Sequence, residues 1–326
     1  MKQPPLRICI AGAGAIGCTL AARFAASGQR VSVLARGETL EIIRRDGIHL
    51  NDLDGAHQVR VDASDDARQL GRQDVVFLCT KAPALAGLLP GIAPLLGDET
   101  MVVPVVNGVP WWYFHGLPGR FAGRRITAVD PDGALLAALD PARLIGCVVF
   151  ITAQCPAPGV AESGNPHLMI VGEPDNRLTP RLERLRSVIA DAGIEARASE
   201  RIRDPLWTKI IANLTSNPLS VVSGATLEQL YSQPGLRELA RATLNEALLV
   251  AASHGARVDI DPQTFLELGA GMGAVRTSML QDHDKGRPLE LAAIGDAVLE
   301  LAELLDLPMP ITRHLIALAR FRSASH

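Results

Sequence analysis

Short apolar runs recur along the first two-fifths of the chain, and stretches with helical spacing separate them. Four of these runs predict strands, at 8–11, 31–35, 74–79 and 101–106. Nearly continuous apolar runs of this kind are typical of parallel strands that are covered on both faces. The pattern therefore predicts an α/β domain with a parallel sheet.

The middle of the chain continues the strand pattern and then changes character. Runs at 144–152 and 167–172, with a Pro-Ala-Pro-Gly turn between them, predict a hairpin at one edge of the sheet. A helix at 179–192 and a last edge strand at 194–196 follow.

From about residue 204 the strands stop and helical spacing dominates, with helices predicted at 236–254, 262–268 and 289–304. We therefore expect an N-terminal Rossmann-type domain, 1–200, and an all-helical substrate and catalytic domain, 201–326. A small-molecule site commonly lies between two such domains.

A glycine-rich loop joins the first predicted strand to the first helix. The sequence Gly-Ala-Gly-Ala-Ile-Gly has the spacing of a dinucleotide-binding turn, in which the phosphates rest on the helix N-terminus. The predicted cofactor-binding residues of this loop are Gly12, Gly14, Ala15, Ile16 and Gly17.

The end of the second strand indicates which dinucleotide binds. An NAD-dependent enzyme places Asp or Glu there to hold the ribose 2′-hydroxyl, but this chain reads Ala35-Arg36. A guanidinium attracts a 2′-phosphate, which favours NADP(H) over NAD(H). Arg36 could instead be an ordinary solvated loop residue.

Composition excludes several classes of function. The net charge is −3 without a basic block, and 7 Phe, 2 Tyr and 3 Trp leave few rings for base stacking, so we expect no nucleic-acid partner. No apolar run reaches the length of a membrane span. The 5 cysteines lack a C-x-x-C pair and the 8 histidines lack ligand spacing, which indicates a cytoplasmic protein with reduced thiols and no metal.

Polar residues follow two of the predicted strands, where ligands of parallel sheets bind. Lys81 comes after the third strand and Asn107 after the fourth. Either alone could be a loop residue that satisfies backbone groups, but their shared position favours a functional role.

A second group of polar residues lies on one predicted helix. Lys209, Asn213 and Asn217 are spaced four residues apart, so they share a helix face, and Pro218 is expected to kink or end that helix. Asparagine is a poor interior helix residue, which favours a binding face over a solvated stripe. A lysine ammonium can polarise a ketone and donate a proton to it, so Lys209 is the candidate acid for carbonyl reduction.

These features together resemble the ketopantoate (2-dehydropantoate) 2-reductase family. The resemblance implies reduction of ketopantoate to D-pantoate by NADPH, a step of pantothenate and coenzyme A biosynthesis. It extends over the glycine loop, Lys81, Asn107-Gly108, the 209–218 helix, the 277–282 segment and Glu290.

By the same resemblance, Lys209 and Glu290 are the expected catalytic residues. Asn213, Asn217, Ser278 and Asn107 are the expected substrate-binding residues, and Asn107 with Lys81 would also line the nicotinamide side. Taken alone, Glu290 could be a first-turn carboxylate of the last long helix.

Two departures from the family pattern leave alternatives open. The family's usual Thr-Glu pair is Leu289-Glu290 here, and a further family asparagine falls near Thr226-Leu227. The aromatic cluster Trp111-Trp112-Tyr113 could line a substrate site or pack against the helical domain. A reductase of another 2-keto acid and a non-catalytic NADP-binding sensor are the alternatives, and the helical domain could support a homodimer.

Overall fold

The computed structural model describes residues 4–324. The first of two compact units contains the chain up to Val106 together with Phe114–Arg124 and Gly133–Ile202. The second contains Asn107–Tyr113, Arg125–Asp132 and the chain from Arg203 onward. The sequence predicted one boundary near residue 200 and gave no sign that two earlier segments join the helical unit.

All the strands of the described residues lie in the first unit, in three sheets. In chain order they are β1 Arg7–Ala11, β2 Arg30–Leu34, β3 Ile48–Asp52, β4 Gly55–Val59, β5 Asp62–Ser64, β6 Gln73–Leu78, β7 Leu96–Pro104, β8 Gly146–Phe150, β9 Ala153–Ala157, β10 Val160–Ser163, β11 Leu168–Gly172 and β12 Glu195–Ala198. The helices of this unit are α1 Ala15–Ala26, α2 Gly37–Asp46, α3 Ala67–Leu70, α4 Leu85–Leu88, α5 Ala134–Ala138 and α6 Pro180–Asp191.

The central sheet is parallel and has the order β5-β2-β1-β6-β7. Helix α1 covers it, and Phe24 of that helix stacks on Phe77 of β6 with ring centroids 5.2 Å apart. The chain turns to opposite sides of β1 as it proceeds, so the loop after β1 lies at the point where ligands of such sheets bind. The predicted Rossmann-type arrangement is confirmed.

The predicted edge hairpin is wrong in two respects. The first is that β8, β11 and β12 form a separate three-stranded sheet and do not extend the central one. Strands β8 and β11 do pair antiparallel, and β12 adds to β11 in parallel, as the sequence indicated. The Pro-Ala-Pro-Gly turn, however, joins β9 to β10, and β10 pairs with β3 in a separate sheet of order β4-β3-β10-β9. Strands β4 and β9 are largely exposed, and in β3 and β10 buried positions alternate with more exposed ones. The four strands therefore lack the continuous apolar run that marks a strand buried on both faces.

The second unit is helical, as predicted. Its helices are α7 Arg203–Ser223, α8 Leu227–Ser232, α9 Pro234–Ser253, α10 Pro262–Ala270, α11 Ser278–Asp284, α12 Ala297–Glu303 and α13 Pro310–Ser323. Helix α7 is central, since α9, α11 and α13 all pack against it.

Two helix predictions need correction. Helix α7 does not end at Pro218 but continues to Ser223, because every residue from Leu214 to Val221 is buried and packing compensates for the missing hydrogen bond. The predicted helix at 289–304 is not a continuous α-helix. A π-turn, Ala292–Asp296, precedes α12 and leaves Glu290 ahead of the helix.

Candidate active site

The three glycines of the loop after β1 meet three different steric demands. Gly12 has φ +114°, and a Cβ there would lie 2.8 Å from the Thr80 side chain and 3.0 Å from the Cys79 carbonyl. A Cβ on Gly17 would overlap the Gly12 carbonyl oxygen, whereas Gly14 faces open space. Turn formation, close helix packing and open access to a ligand are the roles that a dinucleotide loop requires.

The loop leads directly into α1, whose first residues are Ala15 and Ile16. The Gly14 backbone is extended and exposed at the start of this 12-residue helix. Unpaired N–H groups and the positive end of the helix dipole favour an anion at this point. The space beside Gly14 is open, so the start of this helix is a candidate site for a pyrophosphate.

Arg36 and Lys81 stand at the ends of two strands of the same sheet. Arg36 is exposed and directly precedes α2, and no carboxylate ends β2. A carboxylate does follow a few residues later: Glu38, which sequence reasoning overlooked, is exposed in the first turn of α2. Lys81 is exposed and precedes the short 3₁₀ turn Ala82–Ala84.

In the second unit, α7 carries the predicted polar face. Lys209 and Asn213 are half-buried, and Asn217 is buried with 3% of its surface exposed. The Asn217 Oδ1 accepts a hydrogen bond from Ser216 at 3.2 Å, but its Nδ2 has no hydrogen-bond partner among the described residues. A buried donor without a partner destabilises the fold unless a ligand or water accepts its hydrogen bond, so this amide is a candidate for substrate binding.

The structure brings Asn107 and Glu290 together although 183 residues separate them. The Asn107 Nδ2 donates a hydrogen bond of 3.4 Å to Glu290 Oε2, and both side chains are half-buried. The π-turn that follows Glu290 packs against α7, the helix of Lys209. An amide donor of this kind orients a carboxylate without neutralising it.

Ser278 is exposed at the first position of α11. Thr277 caps this helix, since its hydroxyl accepts a hydrogen bond from the Leu280 N–H at 3.1 Å. The same hydroxyl lies 2.6 Å from Ser220 Oγ of α7, and both residues are buried. This hydroxyl pair fixes the start of α11 against α7, and no sequence pattern had singled it out.

The aromatic cluster after Asn107 packs inside the second unit. Tyr113 makes edge-to-face contacts with Trp207 and His254, at centroid distances of 6.3 and 6.2 Å. The Tyr113 carbonyl accepts a 2.7 Å hydrogen bond from Arg203, whose guanidinium also lies over the Trp112 ring. The side chains of this cluster are at most 2% exposed, namely Trp111, Trp112 and Tyr113. The cluster therefore packs against the helices of the second unit, which was the second of the two alternatives.

Two further properties concern the described residues as a whole. No group of three or more His, Cys, Asp or Glu side chains between residues 4 and 324 could hold a metal ion. Within the same range, no helix has the length and apolarity to cross a membrane.

Comparison with known proteins identifies the family in both parts of the chain. The family model "Ketopantoate reductase PanE/ApbA" matches residues 8–118, and "Ketopantoate reductase PanE/ApbA C terminal" matches residues 201–323. A 2-dehydropantoate 2-reductase from Mesorhizobium japonicum is 40% identical over 316 residues, which cover 97% of each chain.

Solved structures agree in fold along the whole chain. A provisionally assigned ketopantoate reductase from Ralstonia solanacearum MolK2 is 38% identical, with a TM-score of 0.94 over 98% of each chain. A 2-dehydropantoate 2-reductase from Geobacter metallireducens GS-15 is 26% identical, with a TM-score of 0.86 over 97% of this chain and 99% of the other. The chain therefore belongs to the ketopantoate reductase family.

Proposed function

We propose that this protein reduces 2-dehydropantoate to D-pantoate with NADPH. The observation that carries the proposal is the polar face of α7. Lys209, Asn213 and Asn217 lie on this face, and the Asn217 Nδ2 has no hydrogen-bond partner among the described residues. A proton donor and two amides in a row suit a substrate with a ketone, a hydroxyl and a carboxylate. The 40% identity to a 2-dehydropantoate 2-reductase supports the same substrate.

The first unit would hold the cofactor. The backbone at Gly12, Gly14, Ala15, Ile16 and Gly17 suits the pyrophosphate, and the Arg36 guanidinium suits the 2′-phosphate of NADP(H). Lys81 of this unit and Asn107 of the second would contact the nicotinamide side. When bound, NADPH supplies the hydride that the carbonyl carbon receives.

Lys209 would act on the carbonyl oxygen. Its ammonium polarises the ketone and donates a proton to the oxygen as negative charge develops there. Glu290 would support this step by positioning the Lys209 ammonium, and the Asn107 amide holds one oxygen of Glu290 in place. The step requires no metal, because the ammonium provides both the charge and the proton.

The remaining polar residues would hold the two ends of the substrate. Asn213 and Asn217 present amides along α7, and Ser278 presents a hydroxyl at the start of α11. Hydrogen-bonding positions discriminate between substrates far more strongly than apolar contacts do. Specificity for ketopantoate would therefore depend on these three side chains.

Several wider expectations belong to the same proposal. The first unit would serve as the cofactor domain, and the second unit as the catalytic domain. The enzyme would work in the cytoplasm, in pantothenate biosynthesis, where all five cysteine thiols would stay reduced. The helical unit could support a homodimer.

The test is NADPH oxidation by purified protein with ketopantoate and a panel of other 2-keto acids, with NADH in parallel. We expect the highest kcat/KM for ketopantoate with NADPH. A higher value for another 2-keto acid would retain the reaction type but contradict the substrate. Tight NADPH binding without turnover of any 2-keto acid would favour the sensor alternative.

A further inference from the structure

We propose that Gly108 is a positioning residue. It lets the 107–109 backbone pack directly on the π-turn that follows Glu290, and this contact holds the Asn107 side chain beside Glu290. The inference rests on the proposed function, because it gives a reason for the geometry of the Asn107–Glu290 pair. It assigns to a residue without a side chain a role in catalysis.

The π-turn exposes one backbone carbonyl for this purpose. The Ala297 N–H bonds to the carbonyl of Ala292, five residues back, as a π-turn requires. The next carbonyl, that of Ala293, accepts a 2.8 Å hydrogen bond from the Val109 N–H. The wide turn therefore connects to the 107–113 segment through main-chain atoms alone.

Gly108 approaches this carbonyl so closely that no side chain fits. It is buried with φ +81°, and a Cβ there would overlap the Ala293 carbonyl and lie 2.8 Å from the Ala293 Cβ. The obstacle is main chain, which cannot rotate away as the tip of a flexible side chain can. Glycine is required at 108 both by conformation and by space.

The two side chains of the pair flank this contact. Asn107 directly precedes Gly108, and Glu290 lies three residues before Ala293, with its own carbonyl accepting a 3.0 Å hydrogen bond from the Ile294 N–H. The contact between Gly108 and Ala293 therefore fixes the backbone on both sides of the 3.4 Å hydrogen bond between Asn107 and Glu290. A displacement of about 1 Å at a reacting centre can reduce a rate about 100-fold, so this backbone contact matters for catalysis.

The test compares Gly108→Ala with Gly255→Ala. Gly255 is a matched control in the same unit, with φ +78° and open space around the position of its Cβ. Both variants introduce the same backbone strain, but only Gly108→Ala would push on the π-turn. We expect Gly108→Ala to lower kcat about 10- to 100-fold with NADPH affinity retained, and Gly255→Ala to keep wild-type kcat.

A second readout separates positioning from general destabilisation. If Gly108 acts through Glu290, the variant should reduce single-turnover rates in the wild-type background but have much less effect in a Glu290→Ala background. Groups that act as a unit show this non-additivity. Equal losses in the two backgrounds, or equal kcat for the two glycine variants, would overturn the inference.

A third variant serves if Gly108→Ala does not fold. A Cβ on Gly295, inside the π-turn, would overlap the Ile316 Cδ1 and lie 2.8 Å from its Cγ1. Ile316 is only 1% exposed, so its side chain has no open space to move into and Gly295→Ala should lower kcat. Truncation of this side chain by Ile316→Ala should restore kcat in the double variant. Failure of that rescue would contradict a positioning role for the π-turn.

The same assay distinguishes this inference from the proposed function. Wild-type protein that turns over no 2-keto acid would refute the reaction and, with it, any positioning role in that reaction. Active wild-type protein whose Gly108→Ala variant behaves like Gly255→Ala would retain the reaction and refute only the role of Gly108.

Discussion

The indole N–H of Trp207 donates a 2.7 Å hydrogen bond to the hydroxyl of Tyr113, 94 residues earlier in the chain. This bond ties the 107–113 segment to α7 only two residues before Lys209. The same segment contacts the π-turn through Gly108 and Val109. One short stretch of chain therefore joins the helix of the candidate acid to the turn that follows Glu290.

We expect Tyr113→Phe to lower the free energy of unfolding by about 1–3 kcal/mol, because the variant leaves the buried Trp207 N–H without its acceptor. Chemical denaturation at neutral pH measures this change. In a double variant with Trp207→Phe, the loss should be smaller than the sum of the two single losses. Additive losses would show that the bond contributes little.

The same tyrosine predicts a pH dependence. Burial raises the pKa of Tyr113 from 10.0 to about 12, so the folded state keeps its proton where the unfolded state has lost it. This contribution to stability is complete below pH 10 and is lost as the pH rises through about 12. Wild type should therefore lose stability more steeply than Tyr113→Phe across that interval, and equal slopes would contradict the assignment.

Asn217 offers a test in which stability and activity change in opposite directions. Asn217→Leu removes a buried amide N–H that lacks a partner among the described residues, so we expect the protein without ligand to gain up to about 1–3 kcal/mol. The variant should lose most of its kcat/KM for the 2-keto acid. Denaturation without substrate and steady-state kinetics measure the two effects. A less stable variant with intact kinetics would show that the amide serves the fold alone.

The hydroxyl pair of Ser220 and Thr277 predicts a change in substrate affinity. Ser220→Ala removes the 2.6 Å partner of the residue that caps α11, so Ser278 should lose its fixed position. We expect KM for the 2-keto acid to rise severalfold with a smaller change in kcat. Ser223→Ala is the control, since the Ser223 hydroxyl donates to the Leu219 carbonyl of the same helix and accepts from the nearby Ala225 N–H. A similar KM for both variants would contradict the prediction.

Arg36 should determine the choice between the two dinucleotides. A charge-assisted contact to phosphate contributes about 1.5–3 kcal/mol, so Arg36→Ala should raise KM for NADPH about 10- to 100-fold and leave KM for NADH unchanged. Arg30→Ala, at the other end of β2, is the control. Parallel changes for both cofactors would remove Arg36 from 2′-phosphate recognition.

The sequence was sufficient where local pattern determines structure. The apolar runs of β1, β2 and β6 and the glycine spacing predicted the parallel sheet and its ligand-binding loop, because burial on both faces leaves a continuous apolar signature. The spacing of Lys209, Asn213 and Asn217 likewise predicted a shared helix face, since helical period alone decides it.

The sequence was insufficient where distant segments meet. Nothing near Asn107 indicates that its amide contacts Glu290, and nothing near Gly108 indicates that the Ala293 carbonyl lies beside it. The π-turn was missed because its residues continue an amphipathic helical pattern. The alternative in which Pro218 ends α7 was wrong, because burial of every residue from 214 to 221 outweighs a local helix-breaking tendency.

The most direct test of the central claim is the kcat of Lys209→Ala with ketopantoate and NADPH. Lys285→Ala, which changes an exposed lysine of the same unit, is the control. We expect Lys209→Ala to reduce kcat by about 100-fold or more, the scale of a positioned general acid, while NADPH affinity and Lys285→Ala kinetics stay close to wild type. Wild-type turnover by Lys209→Ala would show that the proton comes from another group and would contradict the proposed mechanism.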